Sequence, residues 1–498
     1  MTSPSGTQTQ CPGCVDHLLF RRNFGDSLMA RSPMNSFMIV VAAVAAIGGF
    51  LYGYDTGIIS GALLSISTDF KLDQKMQEIV ASAILVGATV GGLGCGVFSD
   101  RFGRKASILT IAAIFAVGAI AASLAPNAVF LIVARVVLGV AVGGSSQAVP
   151  TYIAELAPAE RRGHLVTAFN VAIGIGIVTA SLVSFGLHGV WSWRWMIVAA
   201  ALPATGLFIA MFWLPESPRW LASKHRKDDA RAALKRVRGD DADLDAEIGK
   251  IEEVLKKSDR SKTQGWRGLM KPWVRPAVVA GLGVAAFTQL SGIEMMIYYA
   301  PTMLKGVGFG EQGALLTNVG IAFVYLIMTA AGLAIVDRVG RRRLSLIMIP
   351  GATLSLIVLG TLFFLHMTGK SQAPYVIGSL LVYMLFNAGG LQVIGWLTGS
   401  EAYPLSVRGA GTSAQSGVIW GSDLLVTLTA LSLIQMLGAG GAMWVYAGLN
   451  ALAFVFIWRF VPELTGHSLE QVEGALRDNR FRPALGKDPE HELQPAGA

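Results

Sequence analysis

The sequence is short of charge. Only 14% of its 498 residues are Asp, Glu, Lys or Arg, against 53% hydrophobic, and the mean hydropathy is +0.54. Soluble globular chains carry about 25% charged residues, so a water-soluble fold is excluded and a polytopic membrane protein implied. Cysteine is scarcer still, with three residues, too few for a disulfide framework. Cys95 falls in an apolar stretch, while Cys11 and Cys14 form CPGC, followed by His17. That pair lacks a fourth ligand and a surrounding strand or helix, so a polar tail is expected rather than a redox or zinc site. No nucleophile, metal cluster or phosphate loop falls in an aqueous segment, which argues against an enzyme, and neither a metal nor a cofactor is expected. The first ~35 residues are polar, so a cleavable signal peptide is not expected either.

What the chain has in quantity is long apolar runs. About twelve are long enough to span a bilayer: roughly 36–60, 78–98, 106–125, 128–149, 165–187, 194–214, 274–300, 313–336, 343–365, 374–399, 409–436 and 442–461. Between the sixth and the seventh lies a charged stretch, 215–273, whose segments KHRKDDARAALKRVRG and DADLDAEIGKIEEVLKK read as amphipathic helices. It is the only sizeable aqueous element, and it divides the chain into two six-helix halves.

The halves repeat. SDRFGRK (99–105) follows the second span and VDRVGRR (336–342) the eighth. ELAPAERRG (155–163) follows the fourth and EAYPLSVRG (401–409) the tenth, while PESPRWL (215–221) and PELTGHSL (462–469) close the two halves. Each pair is offset by about 240 residues, so the second half re-uses the plan of the first in the same orientation. The expected layout is a cytoplasmic tail (1–35), a six-helix bundle (36–214), a helical linker (215–273), a second six-helix bundle (274–463) and a cytoplasmic tail (464–498).

A net charge of +8 and a pI near 9.4 would suit nucleic acid. The distribution points elsewhere. With both termini cytoplasmic, nearly all of the 40 Lys and Arg fall on cytoplasmic segments, and only Lys71, Lys75, Arg194, Lys305 and Lys370 on outward ones. This is the positive-inside pattern of a membrane protein. One basic residue, Arg135, sits mid-span in the fourth helix, and one acid, Asp55, sits in the middle of GGFLYGYDTGIISGAL in the first. A lone carboxylate in hydrocarbon costs a few kcal/mol unless paired or protonated, so Arg135 is its candidate partner.

These residues carry a resemblance. DRFGRK and DRVGRR, the two E-x6-R stretches (Glu155 to Arg162, Glu401 to Arg408), PESPRWL, PELTG and YGYDTG resemble the sugar porter branch of the major facilitator superfamily, over about residues 36–475. The resemblance implies an all-α membrane protein of twelve transmembrane helices in two six-helix repeats. One sugar site between the halves would open alternately outward and inward. Asp100, Arg101, Arg104, Glu155, Arg162 and Glu216, with Asp337, Arg338, Arg341, Glu401, Arg408 and Glu463 in the second half, would lie on the cytoplasmic side as gate residues. Ion pairs among them could latch the halves shut while the site faces outward. The plainer alternative is a positive-inside anchor without a gating role.

Symporters of this kind carry an acid at the position of Asp55, and passive relatives commonly an amide. Proton symport through Asp55 and Arg135 is therefore expected, against the alternative of a buried pair that only orients helices. Some bacterial relatives add a glutamate on the sixth helix, where this chain has Ala200.

The sugar site departs from the family pattern. The seventh helix, typically QQxxGIN before two tyrosines, reads TQLSGIEMMIYY: Gln289, Tyr298 and Tyr299 keep the pattern, Thr288 replaces the first glutamine and Glu294 the asparagine. Asn170 stands in place of glutamine on the fifth helix, Tyr325 of asparagine on the eighth and Asp423 of asparagine on the eleventh. In the tenth, QVIGW replaces GPxxW and keeps only Trp396; Trp420 also matches. With Tyr52 of the first helix these are the candidate binding residues, the indoles packing on the apolar C–H face of a sugar or cyclitol or, alternatively, only on neighbouring helices. Carboxylates only accept hydrogen bonds, whereas amides also donate, so a substrate rich in donating hydroxyls suits Glu294 and Asp423. Hexoses, pentoses, inositols and linear polyols stay open. A passive facilitator, an exporter of cationic compounds and a non-transporting sensor are the alternatives. The expected partners are a small sugar or polyol, protons and the lipid bilayer, with no nucleic acid; a monomer in the plasma membrane, the bacterial inner membrane by preference, is expected.

Overall fold

A computed structural model describes residues 36–478, apart from 159–161, 239–243, 262–264, 370, 405 and 468, together with residues 480–481. The CPGC pair and His17 lie outside the described residues. Among those described, the regular structure is helical and no strand occurs.

The first half is built from α1 (Ser36–Asp69), α2 (Gln74–Phe102), α3 (Arg104–Ser123), α4 (Ala128–Leu156), α5 (Arg162–Leu187) and a sixth span broken into α6 (Trp193–Val198) and α7 (Ala201–Met211). Four short helices follow: α8 (Pro218–Ser223), α9 (Lys227–Arg238), α10 (Leu244–Ser261) and α11 (Gly265–Leu269). The second half contains α12 (Arg275–Leu290), α13 (Ile293–Gly306), α14 (Glu311–Val339), α15 (Arg341–Phe364), α16 (Ala373–Gly389), α17 (Leu391–Ala402) and α18 (Arg408–Phe460), and α19 (Leu469–Arg477) ends the fold.

Among the described residues, eleven helical stretches are long and apolar enough to cross a membrane. The last of them is 53 residues long, about 80 Å at 1.5 Å per residue, far more than a ~30 Å hydrocarbon core can hold. Gly438, at φ 72°, breaks it. The two pieces make spans eleven and twelve, so twelve crossings result. Large apolar side chains such as Leu202, Ile327 and Leu354 are exposed on these helices, as surfaces in contact with lipid require.

The charged central segment forms a small layer at one end of the bundle, the linker face. Ala222, Leu234, Leu244, Ile248 and Ile251 bury a common apolar patch between α8, α9 and α10. Arg238 pairs with Glu247 at 2.8 Å and donates to the Leu156 carbonyl at 2.7 Å, fastening this layer to the end of α4.

On the opposite face the two halves are joined. Asn318 of α14 donates to Ser60 of α1 (2.9 Å) and Ser181 of α5 (3.2 Å). His188 at the end of α5 meets Glu311 of α14 at 2.9 Å. Glu78 of α2 accepts from the backbone N–H and hydroxyl of Ser432 in α18, at 2.6 and 2.7 Å. Among the described residues the ion pairs of the linker face behave differently: each stays within its own half.

Candidate functional site

The linker-face pairs show how the repeated motifs work. In the first half Arg104 binds Glu155 (2.9 Å) and Asp100 (3.0 Å), and Ser217 donates a short hydrogen bond to Glu155. Glu216 caps α3, accepting from the backbone N–H groups of Arg104 (3.0 Å) and Lys105 (3.1 Å). Burial pushes the Glu216 carboxyl up from its ordinary range, while those amides and Arg104 pull the other way. The second half repeats the arrangement. Arg341 grips Glu401 with a two-point fork (3.0 and 2.9 Å) and Asp337 at 2.7 Å, while Glu463 caps α15 through the N–H groups of Arg341 (3.0 Å) and Arg343 (3.3 Å). Gly103 (φ 102°) and Gly340 (φ 99°) sit at the two caps, where a Cβ would lie 2.2 Å from Glu216 Oε2 and 2.4 Å from Glu463 Oε2. A backbone that turns here against a carboxylate needs glycine, which explains the G of DRFGRK and DRVGRR.

Of the remaining gate candidates, Arg408 donates to the Tyr403 carbonyl (3.2 Å), Arg101 lies over the Phe102 ring and Arg338 is exposed. The side chain of Arg162 lies outside the described residues.

Deep in the first half, Arg135 of α4 and Asp55 of α1 meet at 3.6 Å, 1% and 3% exposed. The contact is longer than a hydrogen bond. Arg135 also reaches the Ala81 carbonyl of α2 at 3.4 Å, and Asp55 Oδ2 and Arg135 Nε have no hydrogen-bond partner among the described residues. Two charges are thus buried together without being fully satisfied, an arrangement a rigid structural pair would avoid.

One turn away, Tyr52 of α1 lines a cavity between the halves. With it stand Asn170 and Ile173 of α5, Gln289 and Glu294 at the break between α12 and α13, Tyr325, Thr329 and Leu333 on one face of α14, and Gln392, Val393, Trp396 and Leu397 of α17. The break lets Gln289 and Glu294 flank one cavity. Gly292 is left-handed (φ 94°), and the Ser291 carbonyl released there accepts from Tyr383 (3.0 Å) and Asn450 (2.8 Å), while Asn387 donates to the Ser291 hydroxyl (2.9 Å). Neighbouring helices thereby satisfy a kink inside the bilayer.

Most polar side chains lining this cavity are uncommitted. Glu294, Asn170, Gln289, Gln392 and Tyr52 make no hydrogen bond to another described residue through their side chains. Buried polar groups are normally paired, and Glu294 and Gln289 are only 5% and 3% exposed. Such a set is suited to a ligand that brings many hydroxyls.

The other sequence candidates lie behind this lining. The Thr288 hydroxyl is spent on the Val284 carbonyl (2.8 Å). Tyr299 donates to the Thr427 carbonyl (2.8 Å), and Asp423 accepts from the Thr427 hydroxyl (3.1 Å). Tyr298 is buried, and Trp420 packs on Tyr52 with ring centres 5.5 Å apart, its indole N–H unpaired among the described residues. The lining residues that the sequence did not single out are Ile173, Thr329, Leu333, Gln392, Val393 and Leu397. Helical register carries a signal for some of them: Thr329 and Leu333 follow Tyr325 by four and eight residues, and Gln392 precedes Trp396 by four.

The family described as "Sugar (and other) transporter" matches residues 41–476. The chain is 36% identical over 454 residues to the major myo-inositol transporter IolT of Bacillus subtilis (strain 168), covering 89% of this chain and 95% of that one. It is 38% identical over 439 residues to the D-xylose transporter of Levilactobacillus brevis, covering 87% and 94%. Among solved structures, the partially occluded inward open conformation of the xylose transporter XylE from E. coli superposes with a TM-score of 0.76 at 26% identity, covering 87% of this chain and all of that one. With two six-helix repeats enclosing a cavity of unspent hydrogen-bonding groups, the chain belongs to the sugar porter family of the major facilitator superfamily, transporters rather than enzymes.

Proposed function

We propose that this protein imports a monosaccharide or polyol by proton symport through alternating access, as a monomer in the plasma membrane with both termini and the linker face cytoplasmic. The observation that carries the reading is the incompletely satisfied Asp55–Arg135 pair one turn from a cavity of uncommitted polar side chains. The substrates named for relatives, myo-inositol, D-xylose and glucose, agree with it. So does the likeness to XylE, a proton:xylose symporter, at 27% identity.

In this cycle the present conformation is the inward-facing one, because the joined face is opposite the linker. Tyr52, Asn170, Gln289, Glu294, Tyr325 and Trp396 hold the substrate, with Trp420 backing Tyr52; Thr288, Tyr298, Tyr299 and Asp423 support the lining. A proton on Asp55 cancels its charge and releases Arg135, loosening α1 against α4; loss of the proton to the cytoplasm restores the pair. One charge crossing 100 mV supplies ~2.3 kcal/mol. The linker-face carboxylates and arginines hold each half rigid as the halves rock. Asp337, Arg341, Glu401 and Glu463 do so in the second half, Asp100, Arg104, Glu155 and Glu216 in the first. Arg101, Arg338, Arg162 and Arg408 then act between the halves when that face closes.

Uptake of labelled myo-inositol, D-xylose, D-glucose and sorbitol into cells lacking their own carriers, with and without a protonophore, tests the proposal. Accumulation that the protonophore abolishes, and that Asp55→Asn loses while keeping counterflow, is expected. Protonophore-resistant equilibration makes the protein a passive facilitator. Export of cationic amphiphiles in place of sugar uptake assigns Glu294 and Asp423 as counter-charges and overturns the reading.

A further inference from the structure

Position 392 is glycine in the family motif GPxxW and glutamine here. We infer that Gln392 is a substrate-contacting, specificity-determining residue that supplies the amide missing from position 288. Three observations support it. The Thr288 hydroxyl is bonded to a carbonyl of its own helix and faces Gly395, where a Cβ would stand 2.6 Å from Thr288 Oγ1, so it offers nothing to the cavity. Gln392 lines the cavity and its amide makes no bond to another described residue. It lies one helical turn before Trp396 on the same face of α17. A ring or chain stacked on the Trp396 indole therefore presents its edge hydroxyls to the Gln392 amide. That amide both donates and accepts, and the Glu294 carboxylate lining the same cavity only accepts. The two together engage a pair of substrate hydroxyls, and the added side chain takes space that a glycine would leave for the exocyclic CH2OH of a hexose, which a pentose lacks.

The inference rests on the proposed sugar site, and direct binding separates the two. Affinities of purified protein for myo-inositol, D-xylose, D-glucose and sorbitol are measured by indole fluorescence quenching in the parent, Gln392→Gly and Gln392→Glu, with thermal unfolding as a check on folding. Removing one hydrogen bond from a buried site is expected to weaken the best substrate by about tenfold to a hundredfold in Gln392→Gly. D-glucose, larger than D-xylose by one CH2OH, should lose less than D-xylose or gain. Gln392→Glu keeps the volume and removes the donor, so it should weaken the same substrate without improving D-glucose. A parent that binds, with both variants showing unchanged affinities and ranking, overturns the role of Gln392 alone. A parent that binds none of the four overturns both this inference and the function beneath it.

On the face opposite the linker, we infer that Lys75 and Glu78 of α2 form a clasp on one turn of α18 that keeps the cavity closed on that side. Glu78, 0% exposed, takes the Ser432 N–H, and Lys75, paired to Glu78 at 3.0 Å, takes the Leu428 carbonyl at 3.3 Å. Residues 428 and 432 are the two that an uninterrupted helix would bond to each other. Both ends of one helical turn are thus held from α2, and the clasp must release its grip for the halves to part. Spin labels on Lys71 and Met436, exposed on the two halves at this face, report the opening in lipid nanodiscs after the three cysteines are replaced. In Glu78→Gln and in Lys75→Met, loss of a charge-assisted bond should raise the long-distance population about tenfold. Distance distributions identical to the parent's in both variants overturn the clasp.

Discussion

Gly103→Ala tests whether the glycine of DRFGRK is there for the carboxylate. The backbone at Gly103 (φ 102°, ψ 164°) lies in a region that is essentially glycine's alone, which costs about 1 to 3 kcal/mol for another residue. The new Cβ would also stand 2.2 Å from Glu216 Oε2 and 3.4 Å from the nearest Trp220 atom. Only the carboxylate must move, and in moving it gives up the N–H groups of Arg104 and Lys105. Losing hydrogen bonds to a charged acceptor costs roughly 1.5 to 3 kcal/mol, so the variant should lose about 2.5 to 6 kcal/mol in all. Glu216→Ala alone should cost the hydrogen-bond part. In the double variant no carboxylate remains to clash, so its loss should match that of Gly103→Ala. The two single losses should overshoot the double by roughly 1.5 to 3 kcal/mol, a coupling that a double-mutant cycle reads. The assay is unfolding of purified protein in mixed detergent micelles. Strict additivity would refute the reasoning, since strain at Gly103 would then be independent of Glu216.

Glu294→Asn returns the family's usual residue, and loss of one charge-assisted bond should weaken the best substrate by ~1.5 to 3 kcal/mol and shift selectivity towards aldohexoses; unchanged competition among glucose, xylose, sorbitol and inositol removes Glu294 from the site. Arg341→Lys replaces the fork on Glu401 with a single point contact and should lower the unfolding midpoint measurably, by the loss of about one charge-assisted bond. Arg135→Ala leaves Asp55 buried without its cation, which should cost about 3 to 5 kcal/mol and weaken coupling; an unchanged pH profile of uptake contradicts the pairing. Gly53→Ala puts a Cβ 1.9 Å from the Ile173 carbonyl oxygen, forcing α1 from α5 beside Tyr52 and Asn170, so both substrate affinity and yield should fall.

Length, hydropathy and the repeated motifs determined the membrane solvent, the two halves, the twelve spans and the Asp55–Arg135 candidate, because those depend on local composition and on motifs read along the chain. Span counting also separated the last two crossings: Arg408–Phe460 is two helices joined at Gly438 (φ 72°), as a hydrocarbon core too thin for 53 helical residues requires. The candidate site was only partly legible. Tyr52, Asn170, Gln289, Glu294, Tyr325 and Trp396 line the cavity, but Thr288, Tyr298, Tyr299, Trp420 and Asp423 stand behind it. Which side of a helix faces the cavity depends on how that helix is rotated and broken. The left-handed turn at Gly292 is held by Tyr383, Asn387 and Asn450 from helices far along the chain. The tertiary structure alone also decided that the linker-face ion pairs lie within each half and that Glu78 reaches across to Ser432, because a charge in the sequence has a side of the membrane but no partner until the helices are packed.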